Sequence, residues 1–271
     1  MKTVLLIAGD SIRALLHRRF LVGLMIATVA LTIGISSMFS GVRENMSESF
    51  EHQLANKSER DGKQTTERER RQIREAMEGA SFGFQTLFYF VASFGGSLVA
   101  LFIFGTAVSS EIRSGTIRIT LAKPVSRTQF LMGKYAGAVA VMAGYTLIAS
   151  LAMLAFTHTH DIGLSPALMY APWLMFCKQL MMGALALVLS LFMHPFVAAV
   201  LALFAGNGLY SPPNPLYYIL PSYGDFDLYS QVMAGSLVSA TDVGWLTLYA
   251  ADFVLVMLLI ALWRFRTKEI I

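Results

Sequence analysis

The chain has 271 residues, of which 55% are hydrophobic and only 14% charged, with a mean hydropathy of +0.58. Soluble domains carry about 25% charged residues, and the shortfall here is concentrated in long charge-poor runs, which excludes an ordinary water-soluble globular domain. The formal net charge of +4 gathers at the ends of those runs, as at membrane edges and unlike a nucleic-acid footprint, so no nucleic-acid partner is expected.

Residues 1–19 do not read as a signal peptide, because Asp10 and Arg13 stand where a cleavage site would follow the short apolar patch. Val4, Leu5, Ala8, Ile12, Leu15 and Leu16 fall on one helical face, opposite Lys2, Asp10, Arg13 and Arg18. That pattern predicts a helix lying in the membrane interface; an uncleaved signal anchor is the alternative. The membrane domain then occupies 20–271, with its first crossing over 20–39.

Residues 41–79 form a strongly polar insertion in which acids and bases nearly cancel. Met46, Phe50 and Leu54 recur at helical spacing, Asp61-Gly62 reads as a turn, and Thr66 with Glu69 fits a capping box. Two short helices in an extracytoplasmic hairpin are expected, offering a surface to an extracytoplasmic partner.

Further crossings are expected over 84–108, 130–156, 173–192, 196–209 and 245–263. Most reach the ~20 residues that a bilayer's hydrocarbon core requires of a helix. The fifth spans only about 21 Å, and Pro212, Pro213, Pro215 and Pro221 follow it. Broken elements at membrane depth are tolerated only where buried in protein or lining a cavity. His194-Pro195 makes a tight turn between the fourth and fifth crossings. The loops at 157–172 and 210–242 contain no Lys or Arg and should be outside. Arg13, Arg18 and Arg19 at the start, and Arg264, Arg266 and Lys268 at the end, should be inside. The fold class is thus an all-α membrane protein with six transmembrane helices.

The most informative stretch is 109–137, a charged, Pro-broken island between two long apolar runs. It carries Arg113, Arg118, Lys123, Arg127 and Lys134 against the single acid Glu111, which marks the cytoplasmic side. Its order is Glu111, Gly115-Thr116, Leu121, Pro124, Ser126-Arg127, then Gly133-Lys134-Tyr135. This resembles the loop after the second span in type-2 ATP-binding-cassette (ABC) exporter permeases. The run at 220–235 is similar, more loosely, to that family's outer segment.

The resemblance implies a cytoplasmic coupling helix in 109–129, with Glu111, Arg113, Gly115, Thr116 and Arg118 meeting a separate ABC ATPase subunit. It also implies short re-entrant helices on the outer side, and a second permease chain, identical or homologous. The function implied is a permease subunit exporting a lipid, drug, peptide or polymer across a prokaryotic cytoplasmic (inner) membrane. ATP and magnesium would be bound by the partner, not by this chain. The residues agree, because Thr128 stands where a phosphate loop before Gly133-Lys134 needs its first glycine, and Tyr135 replaces its Ser or Thr.

Two ionisable residues fall inside predicted spans, Lys178 and Asp252. Similar depth and opposite sign make them candidates for an intramembrane ion pair; snorkelling of Lys178 to outer headgroups is the alternative. His158, His160 and Asp161 form an H-x-H-D cluster without an evident fourth metal ligand, so no metal site and no catalytic residue is expected. Gly133 and Gly137 suit a close helix contact, and Gly95-Gly96 would loosen or kink the second span. A membrane enzyme using Asp252, His194 or the His158/His160 cluster, and a membrane scaffold without transport, are the rival functions.

Overall fold

The computed structural model describes residues 2–16, most of 26–45 together with 23 and 49, then 62–114, 126–160, 163–206 and 220–267. Every regular element among the described residues is helical. In chain order they are α1 (Lys2–Leu16), α2 (Gly62–Ala107), α3 (Ser109–Ser114), α4 (Arg127–Thr159), α5 (Ala171–Ser190), α6 (Pro195–Phe204), α7 (Tyr229–Ala234) and α8 (Ala240–Thr267). Short 3₁₀ turns occupy Pro166–Met169 and Gly224–Phe226.

Among the described residues, four segments are long and apolar enough to cross a membrane: Glu78–Arg113, Arg127–Thr159, Ala171–Ser190 and Ala240–Thr267. They coincide with the second, third, fourth and sixth expected crossings. The first and fifth correspond to shorter apolar helices, Ile26–Val42 and Pro195–Phe204.

Local chemistry sets several boundaries. α4 begins at a capping box: the Gln129 N–H donates to Ser126 Oγ at 3.2 Å, and the Ser126 N–H donates back to Gln129 Oε1 at 3.1 Å. α6 opens with Pro195, whose missing N–H costs nothing at a first helical position. His194 Nδ1 accepts the next free N–H, from Phe196, at 3.2 Å. α7 ends at Gly235 with φ +60°, a left-handed stop where a side chain would also strike the Phe82 ring.

The polar insertion departs from its expected form. α2 runs unbroken from Gly62 to Ala107, so Thr66 and Glu69 sit within a helix and do not cap one. At 1.5 Å per residue, α2 is about 69 Å long, of which the charged part before Glu78 makes about 25 Å. The described positions 37–42, 44, 45 and 49 are helical too. The second span therefore extends into the insertion as a continuous helix. The physical reason is that Gln, Glu, Arg, Lys and Ala dominate 63–78, all good helix formers, and an apolar span already nucleates the helix. Residues 50–61, with Phe50, Leu54 and Asp61, lie outside the described residues.

Side-chain contacts sort the bundle into two ends. At one, Arg127 Nη1 donates to the carbonyls of Phe265 and Arg266 at 3.3 and 3.1 Å, and Arg264 lies 4.9 Å over the Phe192 ring. This is the basic end. At the opposite, distal end, buried Gln85 donates to the Gly163 carbonyl at 2.7 Å and accepts from the Ser165 N–H at 2.9 Å. Trp173 Nε1 donates to Thr247 Oγ1 at 2.9 Å there. α2, α5 and α8 thus run from the distal end to the basic end, and α4 runs the opposite way.

α5 is the most enclosed of the four, whereas α4 and α8 leave most of their apolar surface open. One apolar cluster gathers Phe88, Leu174, Met181, Phe226 and Val232 towards the distal end. A second gathers Phe104, Phe130, Leu131, Met142 and Phe265 towards the basic end. α1 packs along α4, where Gly133 leaves room for Ile7 and Val4, and Gly137 for Ser11 and Ala8. Asp10 and Arg13 point away, as the helical face predicted. Gly95 and Gly96 neither interrupt nor end α2. They admit Thr28 at Gly95, and Gln179 with Tyr145 at Gly96, where any side chain would collide.

Candidate functional site

The basic end carries the first candidate. α2 stops at Ala107, and after one residue α3 turns through Ser109–Ser114. Ser109 Oγ and Ser110 Oγ donate back to the carbonyls of Gly105 and Thr106 at 2.6 and 2.7 Å, tying α3 to the end of α2. Glu111 forms an ion pair with Lys134 on α4. Lys134 also sits 5.7 Å from the centroid of the Phe130 ring. Arg113 is exposed.

The arrangement is a short polar helix tied to two long spans, with Arg113 exposed at the basic surface. Glu111 therefore has an internal role that the sequence did not reveal: it fixes α3 to α4. Gly115, Thr116 and Arg118 lie outside the described residues. Gly133 is filled by α1 and Lys134 is engaged by Glu111, so this Gly-Lys pair offers no phosphate cradle.

The second candidate is the buried lysine. Lys178 Nζ donates to Asp227 Oδ1 at 2.6 Å and to Ser93 Oγ at 2.7 Å. Ser93 Oγ in turn lies 3.3 Å from the same carboxylate oxygen. The Lys178 side chain is 6% exposed and that of Asp227 20%. An isolated charge at a span centre costs about 2.5–3.5 kcal/mol, and a buried charge without its partner is the costlier state. The pairing with Asp252 expected from sequence is therefore corrected. Lys178 meets an acid from the segment before α7, while Asp252 is exposed on α8. Depth along the chain could not identify Asp227, because 220–235 folds back onto α2 and α5 from what reads as a loop. The signal available was a second acid in that segment, Asp227, four residues after Tyr223 and two before Tyr229.

Aromatic rings enclose the pair. Tyr89 OH donates to the Phe226 carbonyl at 3.3 Å, and the Tyr89 and Tyr229 rings lie 5.2 Å apart. Tyr223 is buried and its hydroxyl has no partner; burial holds that phenol well above its usual pKa. One turn deeper on α2, a neutral polar layer follows. Tyr145 OH donates to the Ala92 carbonyl at 2.8 Å, and Thr146 Oγ1 lies 3.2 Å from Gln179 Oε1. Gln179 Nε2 is buried without a partner.

His160 packs its ring against Phe39 and Phe156, and no group of three metal-ligating residues occurs among the described residues. Asp161 lies outside them.

No curated protein matches the chain. The family described as ABC-2 family transporter protein matches residues 10–205, a region that runs from α1 through the α2–α3–α4 junction to the end of α6. With four apolar helices of membrane-crossing length and that match over most of its length, this chain belongs to the ABC-2 transporter family.

Proposed function

We propose that this chain is the transmembrane permease subunit of an ATP-driven exporter, powered by a separate ATPase subunit that docks on α3. The observation that carries the reading is the junction itself. α3 follows the longest helix directly, is clamped to α4 through Glu111 and Lys134, and leaves Arg113 facing outward at the basic end. A clamp of this kind transmits displacement, because a push on α3 moves α2 and α4 together. The basic charges make this end cytoplasmic, and six crossings satisfy the charge bias, with the helices at 26–42 and 195–204 completing the count. Two such permease chains, identical or homologous, would work with two ATPases that hold the ATP and magnesium. A lipid, drug, peptide or polymer would move outward through a prokaryotic inner membrane.

Affinity purification in mild detergent, with mass spectrometry of the co-purifying proteins, tests this reading. An ATPase should accompany the native chain. Arg113→Glu should reduce its recovery about tenfold, since like-charge contact at an interface costs several kcal/mol, while Arg113→Lys retains it. Equal recovery from Arg113→Glu would remove α3 as the docking element.

A further inference from the structure

We propose that Lys178 and Asp227 form a charge latch that holds residues 220–235 as a lid over the distal ends of α2 and α5, and that this lid is the exit gate. The inference rests on the permease reading above, and names the residues that keep the path closed at its far end.

The segment is held at several points, of which, among the described residues, one is ionic. Within it, the side chains of Phe226 and Val232 are fully buried, and that of Leu228 nearly so. Met233 rests against Gly83, and Tyr89 OH reaches the Phe226 carbonyl. Ser222 N–H donates to Tyr249 OH at 3.3 Å, and the Phe226 and Tyr249 rings stack 6.3 Å apart. These contacts are apolar, aromatic or neutral. Among the described residues, Lys178–Asp227 is the ion pair that ties the segment to α5, the most enclosed helix.

Apolar packing by itself would hold such a segment, so a lysine in this place requires another reason. A charge pair gives a contact that is strong when dry and weak when wet. Once water enters, both partners are solvated and the lid separates without stranding a charge. The site is arranged for that exchange. Lys178 keeps Ser93 as a partner at 2.7 Å when Asp227 leaves. Asp227 carries Tyr229 away with it, since both belong to the lid. The left-handed Gly235 provides a pivot at the lid's C-terminal edge.

What lies beneath argues for a gate instead of a static cover. One turn inward from Ser93, the Gln179 amide is buried with an unpartnered NH₂ group, beside Thr146 and Tyr145. A fixed core would satisfy or replace that amide. A passage that hydrates when its lid lifts has use for it.

The test uses the full chain in native membranes with its associated ATPase. Val232→Cys, on the buried underside of the lid itself, is introduced in a Cys177→Ser background and labelled with a membrane-impermeant maleimide. With the latch intact, labelling should be slow. Lys178→Met with Asp227→Asn, which leaves no stranded charge, should accelerate it at least tenfold, and the swap Lys178→Asp with Asp227→Lys should slow it again. Ala250→Cys, buried on α8, should stay unreactive throughout and so excludes general unfolding. ATP with orthovanadate should accelerate labelling of the latch-intact protein. Unchanged labelling in the doubly neutral variant overturns the latch, and no response to nucleotide overturns the gate. The effect of the latch on labelling needs no ATPase, so it stays readable even if no ATPase co-purifies.

Discussion

Gly183 is where a single atom decides the packing at the centre of the bundle. It lies on α5 against the Phe104 ring of α2, and a Cβ there would overlap the ring. Phe104 is fully buried, so the ring cannot swing aside without displacing its neighbours. Overpacking of this kind costs about 1–3 kcal/mol. Gly183→Ala should therefore lower the thermal midpoint in detergent, and Phe104→Leu in the same chain should recover part of the loss. Cys177 is the only cysteine and is buried, which makes it a built-in reporter: a thiol-reactive dye should label it only as the bundle opens. An unchanged midpoint in Gly183→Ala would show that α2 and α5 slide past one another more freely than this contact allows.

At the scale of elements, the α2–α3–α4 junction works as a unit because each part is fixed by a different interaction. The serine hydroxyls of 109 and 110 fold back on α2, the Glu111–Lys134 pair spans to α4, and the Ser126–Gln129 box starts α4. Glu111→Lys alone would place two cations together and release α3 from α4. Exchanging the charges, with Glu111→Lys and Lys134→Glu, keeps the pair. ATPase recovery should fall in the single variant and return in the exchanged one, measured by the same co-purification. If both variants lose the ATPase equally, Glu111 itself contacts the partner, as the family resemblance alone would suggest, and the clamp is secondary.

For the molecule as a whole, the direction of the helices leads to a topology that can be measured. The charged N-terminal part of α2 extends about 25 Å beyond its apolar part. With the basic end cytoplasmic, position 62 faces outward and position 267, at the end of α8, faces inward. In the Cys177→Ser background, Gly62→Cys should react with an impermeant maleimide on intact cells, and Thr267→Cys only after permeabilisation. Labelling of position 62 only after permeabilisation would reverse the orientation and move the lid to the cytoplasmic side.

The sequence by itself determined the membrane class, the family, the positions of the long helices and the basic end. These depend on local properties: runs of apolar residues, breaks at Pro, and clusters of Lys and Arg read directly along the chain. The ordered residues of 109–137 carried the family because their spacing is short-range. Only the tertiary structure decided what meets what. Asp227, and not Asp252, is the partner of Lys178, because 220–235 folds back across the ends of α2 and α5 and brings together residues 49 positions apart. Gly133 and Gly137 make a seat for α1, and Gly95 and Gly96 make room for Thr28, Gln179 and Tyr145; a helical glycine looks the same in sequence whether it bends a helix or admits a neighbour. Helix continuity through 62–79 was missed for the opposite reason. Capping residues were present, but an apolar span already supplied the nucleus, and a helix that need not nucleate runs past a cap that would start one in isolation.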